Sequence, residues 1–239
     1  MKQILSPLLL ALGVAAFTLS PAEAQVTGNA QAGKNKVAMC IGCHGITDYK
    51  TAFPEVYHVP KIAGQNAQYL EAALKEYRAG TRKHPSMRGI ADSLSDQDIA
   101  DVAAYYQALG GTFRTRELPP PRPASTAVEA LLKKGGCISC HGDNYSKPIS
   151  PDYPKLAGQF PDYLYVALRS YRDDTHTLWG RGNPIMAGMV KQFSNNELRA
   201  IAGYIGSLPG QIETKEETWF SPLDREVKTD EKDVVKDVQ

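Results

Sequence analysis

Cysteine is scarce in this chain, and its placement is restrictive. The 239 residues include only four cysteines, all within two C-x-x-C-H pentapeptides at Cys40–His44 and Cys137–His141. A disulfide framework would allow three pairings of four thiols, but it would not explain the histidine that follows each pair. A zinc site that begins with such a pair usually has more widely spaced histidines further along the chain. Both alternatives are therefore disfavoured.

Other features are also missing. After Ala24, no apolar stretch is long enough to cross a bilayer. The formal net charge is only +1 and no dense basic stripe with interleaved aromatic residues occurs, so nucleic acid is not a predicted partner. No strand pattern flanks either cysteine pair, which argues against a thioredoxin-like redox motif.

What is present is one strong chemical signature, found twice. C-x-x-C-H is the attachment motif of a c-type haem, in which the thiols bond covalently to the porphyrin and the histidine becomes the proximal ligand of the iron. The sequence therefore predicts two covalently bound haem c groups. Their predicted attachment residues are Cys40, Cys43, Cys137 and Cys140, and the predicted proximal ligands are His44 and His141.

The N-terminus has the pattern of an export signal. Lys2 supplies a positive n-region, Leu8–Leu19 is an apolar segment of 12 residues, and Ala22–Ala24 forms an A-x-A cleavage site. We predict a signal peptide over residues 1–24 and a mature protein in a bacterial periplasm, either free or loosely associated with the membrane. Retention of the segment as an anchor is the alternative.

The rest of the chain is a duplication. The segment Val59–Gln65 recurs as Tyr153–Gln159, and matches downstream keep the same register. The unit of about ninety residues is too large for a solenoid repeat. The predicted divisions are a first domain over 25–113, a semi-rigid proline-rich linker over 114–125, a second domain over 126–210 and a charged tail over 211–239.

The tail differs in charge from the body. It carries nine acids and five bases, which leaves a net +5 on residues 25–210. A mildly basic body suits an acidic docking partner. The tail itself is predicted to be extended or partly disordered, unless Trp219 and Phe220 pin it to the body.

Helical signals recur in both copies. Ser95–Asp98 and Ser194–Glu197 are capping boxes, each opening a run with helical apolar spacing. Asn66–Ala79 and Pro161–Arg172 also have helical character, and a shorter helix is predicted before each C-x-x-C-H. The predicted fold class is all-α, with two tandem domains of three to four helices each, built around a haem and without strands.

The second axial ligand of each iron is assigned by elimination among five methionines. Met1 leaves with the signal, and Met39 lies on the attachment side of its haem. Met87 and Met186 each lie eight residues before the serine of a capping box, so both are predicted ligands in loops, and Met189 is predicted to be a packing residue. A shift of register to Met189, or a core-filling role for both methionines, are the alternatives. Methionine ligation stabilises ferrous iron and raises the reduction potential.

The remaining histidines have no counterparts in the other copy and are interpreted as surface residues; they are His58, His84 and His176. Only His84, three residues before Met87, is a rival ligand. A proximal imidazole normally donates its other ring N–H to a fixed acceptor. The backbone carbonyls of Pro60 and Pro154 are the predicted acceptors, a role compatible with that of plain turn prolines.

With these motifs in place, each half resembles a class I cytochrome c, and two such halves behind a signal peptide resemble the diheme cytochrome c4 family. The resemblance covers about residues 30–210. It implies one iron between His44 and Met87, a second between His141 and Met186, proline carbonyls that accept from the proximal histidines, and haem propionate edges that face each other. The longer second methionine loop and the acidic tail depart from the family pattern.

The predicted function is electron transfer, not enzymatic catalysis. The protein would pass single electrons between respiratory-chain components, with quinol–cytochrome c reductase, a dehydrogenase or a terminal oxidase as partners and the oxidase as the final acceptor. The alternative is an electron-accepting cytochrome subunit of a periplasmic dehydrogenase that oxidises sulfide, thiosulfate or an alcohol. A diheme peroxidase needs an open iron, whereas each copy offers a methionine as a second axial ligand. An enzyme with a cysteine-ligated haem is also excluded, because all four thiols are committed to porphyrin attachment.

Overall fold

The computed structural model describes residues 26–111 and 115–216. The predicted signal peptide, together with Trp219 and Phe220, lies outside the described residues. In the first domain the elements are α1 (Ala30–Lys34), α2 (Ala38–His44), β1 (Lys50–Thr51), β2 (Tyr57–His58), α3 (Ala67–Ala79), β3 (Arg82–Lys83), α4 (Pro85–Asp92) and α5 (Asp96–Leu109). In the second domain they are α6 (Thr126–Gly135), α7 (Ile138–His141), α8 (Pro161–Arg172), β4 (Gly180–Arg181), α9 (Pro184–Val190) and α10 (Asn195–Gly206).

The predicted helix signals mark real helix ends. Ser95 and Ser194 each accept the backbone N–H of the residue three positions on, and the acid at that position accepts the serine N–H in return. Each box satisfies N–H groups that would otherwise lack partners at the start of α5 and α10. The all-α class is confirmed, although each domain has five helices within the described residues because the methionine segments are themselves short helices.

The first domain closes through a tight crossing of its terminal helices. Gly33 of α1 is buried against α5, and a Cβ at this position would lie 2.1 Å from the carbonyl oxygen of Asp101. Only glycine allows this approach. Lys36 just beyond α1 forms ion pairs with Asp98 and Asp101 of α5, at 2.6 and 2.7 Å.

Each domain has its own core, and in the part of the chain that the structure describes Tyr57 links the two. The first core is formed by Val37, Ile41, Leu70, Val102, Ala103, Tyr105 and Tyr106. The second core gathers around α8 and α10 and includes Leu164, Leu198, Ile201 and Ile205. Tyr57 belongs to the first domain in sequence but packs in the second core, so the domains share part of their apolar interior.

Within residues 26–111 and 115–216, four very short strands depart from the expectation of no strands. Strands β1 and β2 form an antiparallel pair inside the first domain. Strands β3 and β4 pair across the domains, with Arg82 opposite Arg181. Strand β3 ends directly before His84, the capping residue of α4, and one residue separates β4 from Asn183, the capping residue of α9; the backbone of both caps is extended. No helix in 26–111 or 115–216 has the length and apolar character to span a membrane.

The start of the predicted tail lies against the first domain. Ile212 is buried, and Glu213 forms an antiparallel bridge with Ala63, with N–O distances of 3.0 and 3.2 Å. The linker runs along the second domain, where Arg116 donates to the Gly210 carbonyl at 3.1 Å. Both connections therefore contribute to holding the domains together.

Candidate cofactor site

Each C-x-x-C-H motif is wound into a short helix that brings its side chains to one face. Residues three apart on a helix are neighbours, so Cys40 lies beside Cys43 and Cys137 beside Cys140, and none of the four is in a disulfide bond. Burial raises the pKa of Cys40 to about 11, against a smaller lowering by a hydrogen bond from Tyr106. Low-pKa thiolates characterise redox and metal-binding cysteines, so this environment favours neither a disulfide-exchange site nor a zinc site.

The two motif histidines are held in matching ways. Nδ1 of His44 lies 2.9 Å from the Pro60 oxygen, and Nδ1 of His141 lies 3.3 Å from the Pro154 oxygen. A carbonyl can only accept, so Nδ1 carries the proton in both rings and the other ring nitrogen is left as a donor to a metal. Burial lowers the pKa of both histidines, partly opposed by these hydrogen bonds. The neutral imidazole is the form that binds iron.

Met87 and Met186 occupy equivalent positions in short helices, not in the loops that the sequence suggested. Each is the third residue of a helix that begins with proline, α4 or α9. The N-cap of α4 is His84, whose Nδ1 accepts from the Met87 N–H at 3.4 Å; the N-cap of α9 is Asn183, which accepts from the Met186 N–H at 3.0 Å. His84 therefore caps the methionine helix of the first copy, as Asn183 caps that of the second.

The other methionines and histidines considered as ligands have surroundings unlike those of Met87 and Met186. Met39 and Met189 are exposed. His58 donates to Asp162 at 2.6 Å and stacks on Phe160, both in the second domain. His176 stacks on Trp179 in the longer loop of the second domain.

One continuous cavity of about 780 Å³ joins the two halves. Its walls include both cysteine pairs, both motif histidines, Met87 and Met186, together with apolar residues of both cores. Cofactor pockets are typically of this kind, mostly apolar with a few convergent polar groups. The residues present thus fit two porphyrins attached through thioether bonds.

A cationic cluster on the wall between the domains is formed by Arg82, which is buried, and by four partly buried residues: Arg181, Tyr69, Tyr163 and Tyr171. Arg82 donates to the hydroxyls of Tyr69 and Tyr163 at 3.2 and 3.1 Å, and Arg181 to those of Tyr163 and Tyr171 at 3.1 and 3.4 Å. Arg82 is only 5% exposed, and its Nε is buried without a hydrogen-bond partner. Within the described residues, neither guanidinium forms an ion pair with a carboxylate.

Electrostatics around this cluster favour an anion. Burial would raise the pKa of Tyr163, but Arg181 and Arg82 together lower it. Buried charges normally have partners of opposite sign. The carboxylate side chains of two porphyrins are anions of the required kind, which is a second respect in which the cavity fits the cofactor.

These arginines were missed in the sequence although a signal was available. Arg82 precedes Met87 by five residues, and Arg181 precedes Met186 by five. Because five residues are inserted before this point in the second copy, the match appears only when the repeat is aligned on the methionines. Gln65 and Gln159 end the repeated loop in the two copies, and the sequence predicts no role for either.

Comparison with known proteins agrees with this architecture. The cytochrome c family model matches residues 30–110 and again residues 125–209. The chain is 33% identical over 225 residues to cytochrome c4 of Azotobacter vinelandii, a match that covers 87% of this chain and 100% of that protein. It is 32% identical over 233 residues to the thiosulfate dehydrogenase electron acceptor of Stutzerimonas stutzeri strain A1501, covering 90% and 99%.

A solved structure gives the same result. The crystal structure of reduced recombinant cytochrome c4 from Pseudomonas stutzeri superposes with a TM-score of 0.55 at 31% identity, covering 76% of this chain and 100% of that chain. The predicted pair of covalent haem c groups is confirmed by this membership. The chain belongs to the cytochrome c4 family of tandem-domain cytochromes c, and it is a diheme electron carrier, not an enzyme.

Proposed function

We propose that His44 and Met87 bind one haem iron and that His141 and Met186 bind the other. The observation that carries this proposal is the equivalence of the two sets. Each histidine donates through Nδ1 to a proline carbonyl, each methionine is the third residue of a proline-initiated helix, and all four side chains line one cavity.

The polypeptide has a definite task in this scheme. Each bound haem supplies the one-electron couple of its iron. The proline carbonyls fix the histidine rings, the capped helices fix the methionines, and the shared core excludes water from the cavity. Axial ligands held in this way move little when the iron changes oxidation state, and this small rearrangement favours rapid electron transfer.

Arg82 and Arg181 are proposed to neutralise haem carboxylates between the domains. The support is one buried guanidinium group, that of Arg82, and one partly buried group, that of Arg181, whose hydrogen-bond partners are tyrosine hydroxyls. Desolvated cations of this kind gain from a carboxylate partner far more than exposed ones do.

The proposed location is the periplasm. The support is the export signal over residues 1–24 and the requirement for haem attachment outside the cytoplasm. The proposed divisions at 25–113, 114–125, 126–210 and 211–239 follow the repeat. Fractionation of cells tests the location. N-terminal sequencing of the mature chain tests the first division, and a chain that begins at Gln25 is expected.

The donor and acceptor are redox proteins. The leading proposal is passage of electrons from quinol–cytochrome c reductase to a terminal oxidase. The alternative, service to a periplasmic dehydrogenase, is favoured by the similarity to a protein named as the electron acceptor of thiosulfate dehydrogenase. Stopped-flow reduction of the holoprotein by each candidate donor in parallel distinguishes the two, since only a physiological donor should give a rapid, saturable and salt-dependent rate.

Intact mass, redox titration and magnetic circular dichroism of the purified holoprotein test the ligand assignment. Two added haem masses and two histidine–methionine signatures are expected. A single haem would contradict the duplication, and a high-spin or bis-histidine component would contradict the ligand set of that domain.

A further inference from the structure

Each glutamine at the end of the repeated loop binds the backbone of the other domain. Gln159 accepts from the Lys61 N–H at 3.0 Å and donates to the Lys61 carbonyl at 2.9 Å. Gln65 makes the same two contacts with Lys155, at 2.9 and 3.0 Å. Both glutamines are buried, so water does not compete for these bonds. Two matched amide contacts therefore join the domains.

The orientation of each glutamine amide is fixed by its own domain. Oε1 of Gln65 also accepts from the Asn66 N–H, and Oε1 of Gln159 from the Phe160 N–H, both at 3.0 Å. An oxygen that receives two N–H donors cannot be exchanged with the amide nitrogen. The group presented to the other domain is thus an acceptor held in one place.

The peptide group that receives this contact also holds the proximal histidine. The Pro60 carbonyl, which accepts from His44, and the Lys61 N–H, which donates to Gln159, are the two ends of one amide. In the second copy the same series runs from His141 through the Pro154–Lys155 amide to Gln65. Donation through the N–H of an amide makes its oxygen a stronger acceptor, because both hydrogen bonds polarise the group in the same direction.

We propose that Gln159 is a positioning residue for His44 and Gln65 for His141, so that each domain tunes the proximal histidine of the other. The inference rests on the proposed axial roles of these histidines. A stronger acceptor draws the Nδ1 proton and makes the imidazole a better donor to iron, which stabilises the ferric state. The reduction potential of each haem then depends on docking of the opposite domain.

Holoprotein carrying Gln159→Leu or Gln65→Leu provides a matched pair of tests. Gln159→Leu is expected to raise the midpoint potential of the first-domain haem and to leave that of the second nearly unchanged, and Gln65→Leu should do the reverse. The expected change in each electron-binding equilibrium is up to about tenfold, or about 59 mV for a one-electron couple. Titration followed by the hyperfine-shifted NMR signals of each haem assigns the shift to a domain.

Gln159→Glu tests the hydrogen-bond relay that runs from Gln159 through the Pro60–Lys61 amide to His44. It separates this relay from a simple loss of contact between the domains. The carboxyl oxygen still accepts from the Lys61 N–H, whereas an ionised carboxylate cannot donate to the Lys61 carbonyl. The relay requires a shift of the His44 ring N–H signal opposite to that of Gln159→Leu, and this signal decides the test because an added negative charge lowers the haem potential by itself. This variant also carries the test if the leucine variants do not fold.

Two results would overturn the proposal. Equal shifts of both haems, or a shift confined to the domain that carries the substitution, would mean that the glutamines act only by packing. Failure of the underlying ligand assignment is distinguishable, because it would already show in the unmodified protein as a missing histidine–methionine signature.

Discussion

Arg82 and Arg181 lie opposite each other in the antiparallel pair that joins the domains, and both guanidinium groups donate to the hydroxyl of Tyr163 at 3.1 Å. Two like charges are thereby held together in a largely desolvated place. Such a pair is unfavourable by itself but stabilising when anions lie beside it. The stability of the interface should therefore depend on the cofactors' carboxylates.

Replacing Arg82 by glutamine tests this dependence. We expect the free energy of unfolding of the holoprotein to fall by about 3–5 kcal/mol, the usual cost of removing one member of a buried ion pair, and the haem potentials to fall because a nearby positive charge is lost. Denaturant titration and redox titration measure the two effects. Arg78→Gln is the control, since Arg78 forms a partly exposed ion pair with Asp96, and ion pairs of this kind contribute little to stability. A more stable Arg82→Gln holoprotein would contradict the anion site.

A comparison of the two N-caps shows how to distinguish Met87 from His84 as the axial ligand of the first iron. His84→Asn copies the cap that Asn183 gives to the second methionine helix, so we expect it to keep both histidine–methionine signatures. Met87→Ala should remove the signature of the first haem alone, and Met186→Ala that of the second alone. Magnetic circular dichroism in the near infrared measures both. Loss of the first signature in His84→Asn would identify histidine as the ligand.

Acid should weaken the crossing of α1 and α5 in a way that depends on Lys36. Hydrogen bonds from Lys36 and Ser95 lower the pKa of Asp98 from 3.8 to about 2, and Lys36 also lowers the pKa of Asp101. A carboxyl whose pKa is depressed by folding stabilises the fold above its unfolded pKa, and this contribution is lost as the pH falls toward the folded value. Lys36→Met should lower the melting temperature at pH 6, and the difference from the unmodified protein should shrink between about pH 4 and pH 2.

A nearby lysine serves as the control for this pH dependence. Lys34 of α1 is exposed, so Lys34→Met is expected to leave the pH profile of the melting temperature unchanged. An equal loss in both variants would show that net charge, not the ion pairs with Asp98 and Asp101, sets the response.

The parts of the site that could be predicted from the sequence are those with local signals. A pentapeptide defines the attachment of each haem, and a serine with an acid three residues later defines the start of α5 or α10. The register of the repeat was sufficient to pair Met87 with Met186. These features depend on spacing along the chain, which is visible without coordinates.

The features that were missed depend on contacts between distant residues. Gln159 lies 98 residues from Lys61, and Arg82 lies 81 from Tyr163, so periodicity carries no information about either contact. The strands β3 and β4 are two residues long and arise from docking of the domains, not from strand propensity. The helical form of the methionine segments was missed because glycine and proline favour loops on average, whereas proline in a first turn also starts helices.

The beginning of the tail offers a last test of how the domains are joined. Ile212 is 2% exposed, next to the bridge between Glu213 and Ala63, whereas composition alone indicated an appendix from residue 211 onward. Ile212→Ala should lower the free energy of unfolding by about 2–5 kcal/mol, as for other buried isoleucines cut back to alanine, because its side chain is buried next to the bridge to the first domain. Ile149→Ala is the matched control, since Ile149 is 70% exposed and surface changes usually stay within about 0.5 kcal/mol. Denaturant unfolding of the two holoproteins measures the difference, and equal stabilities would mean that residues beyond Gly210 contribute nothing to holding the domains together.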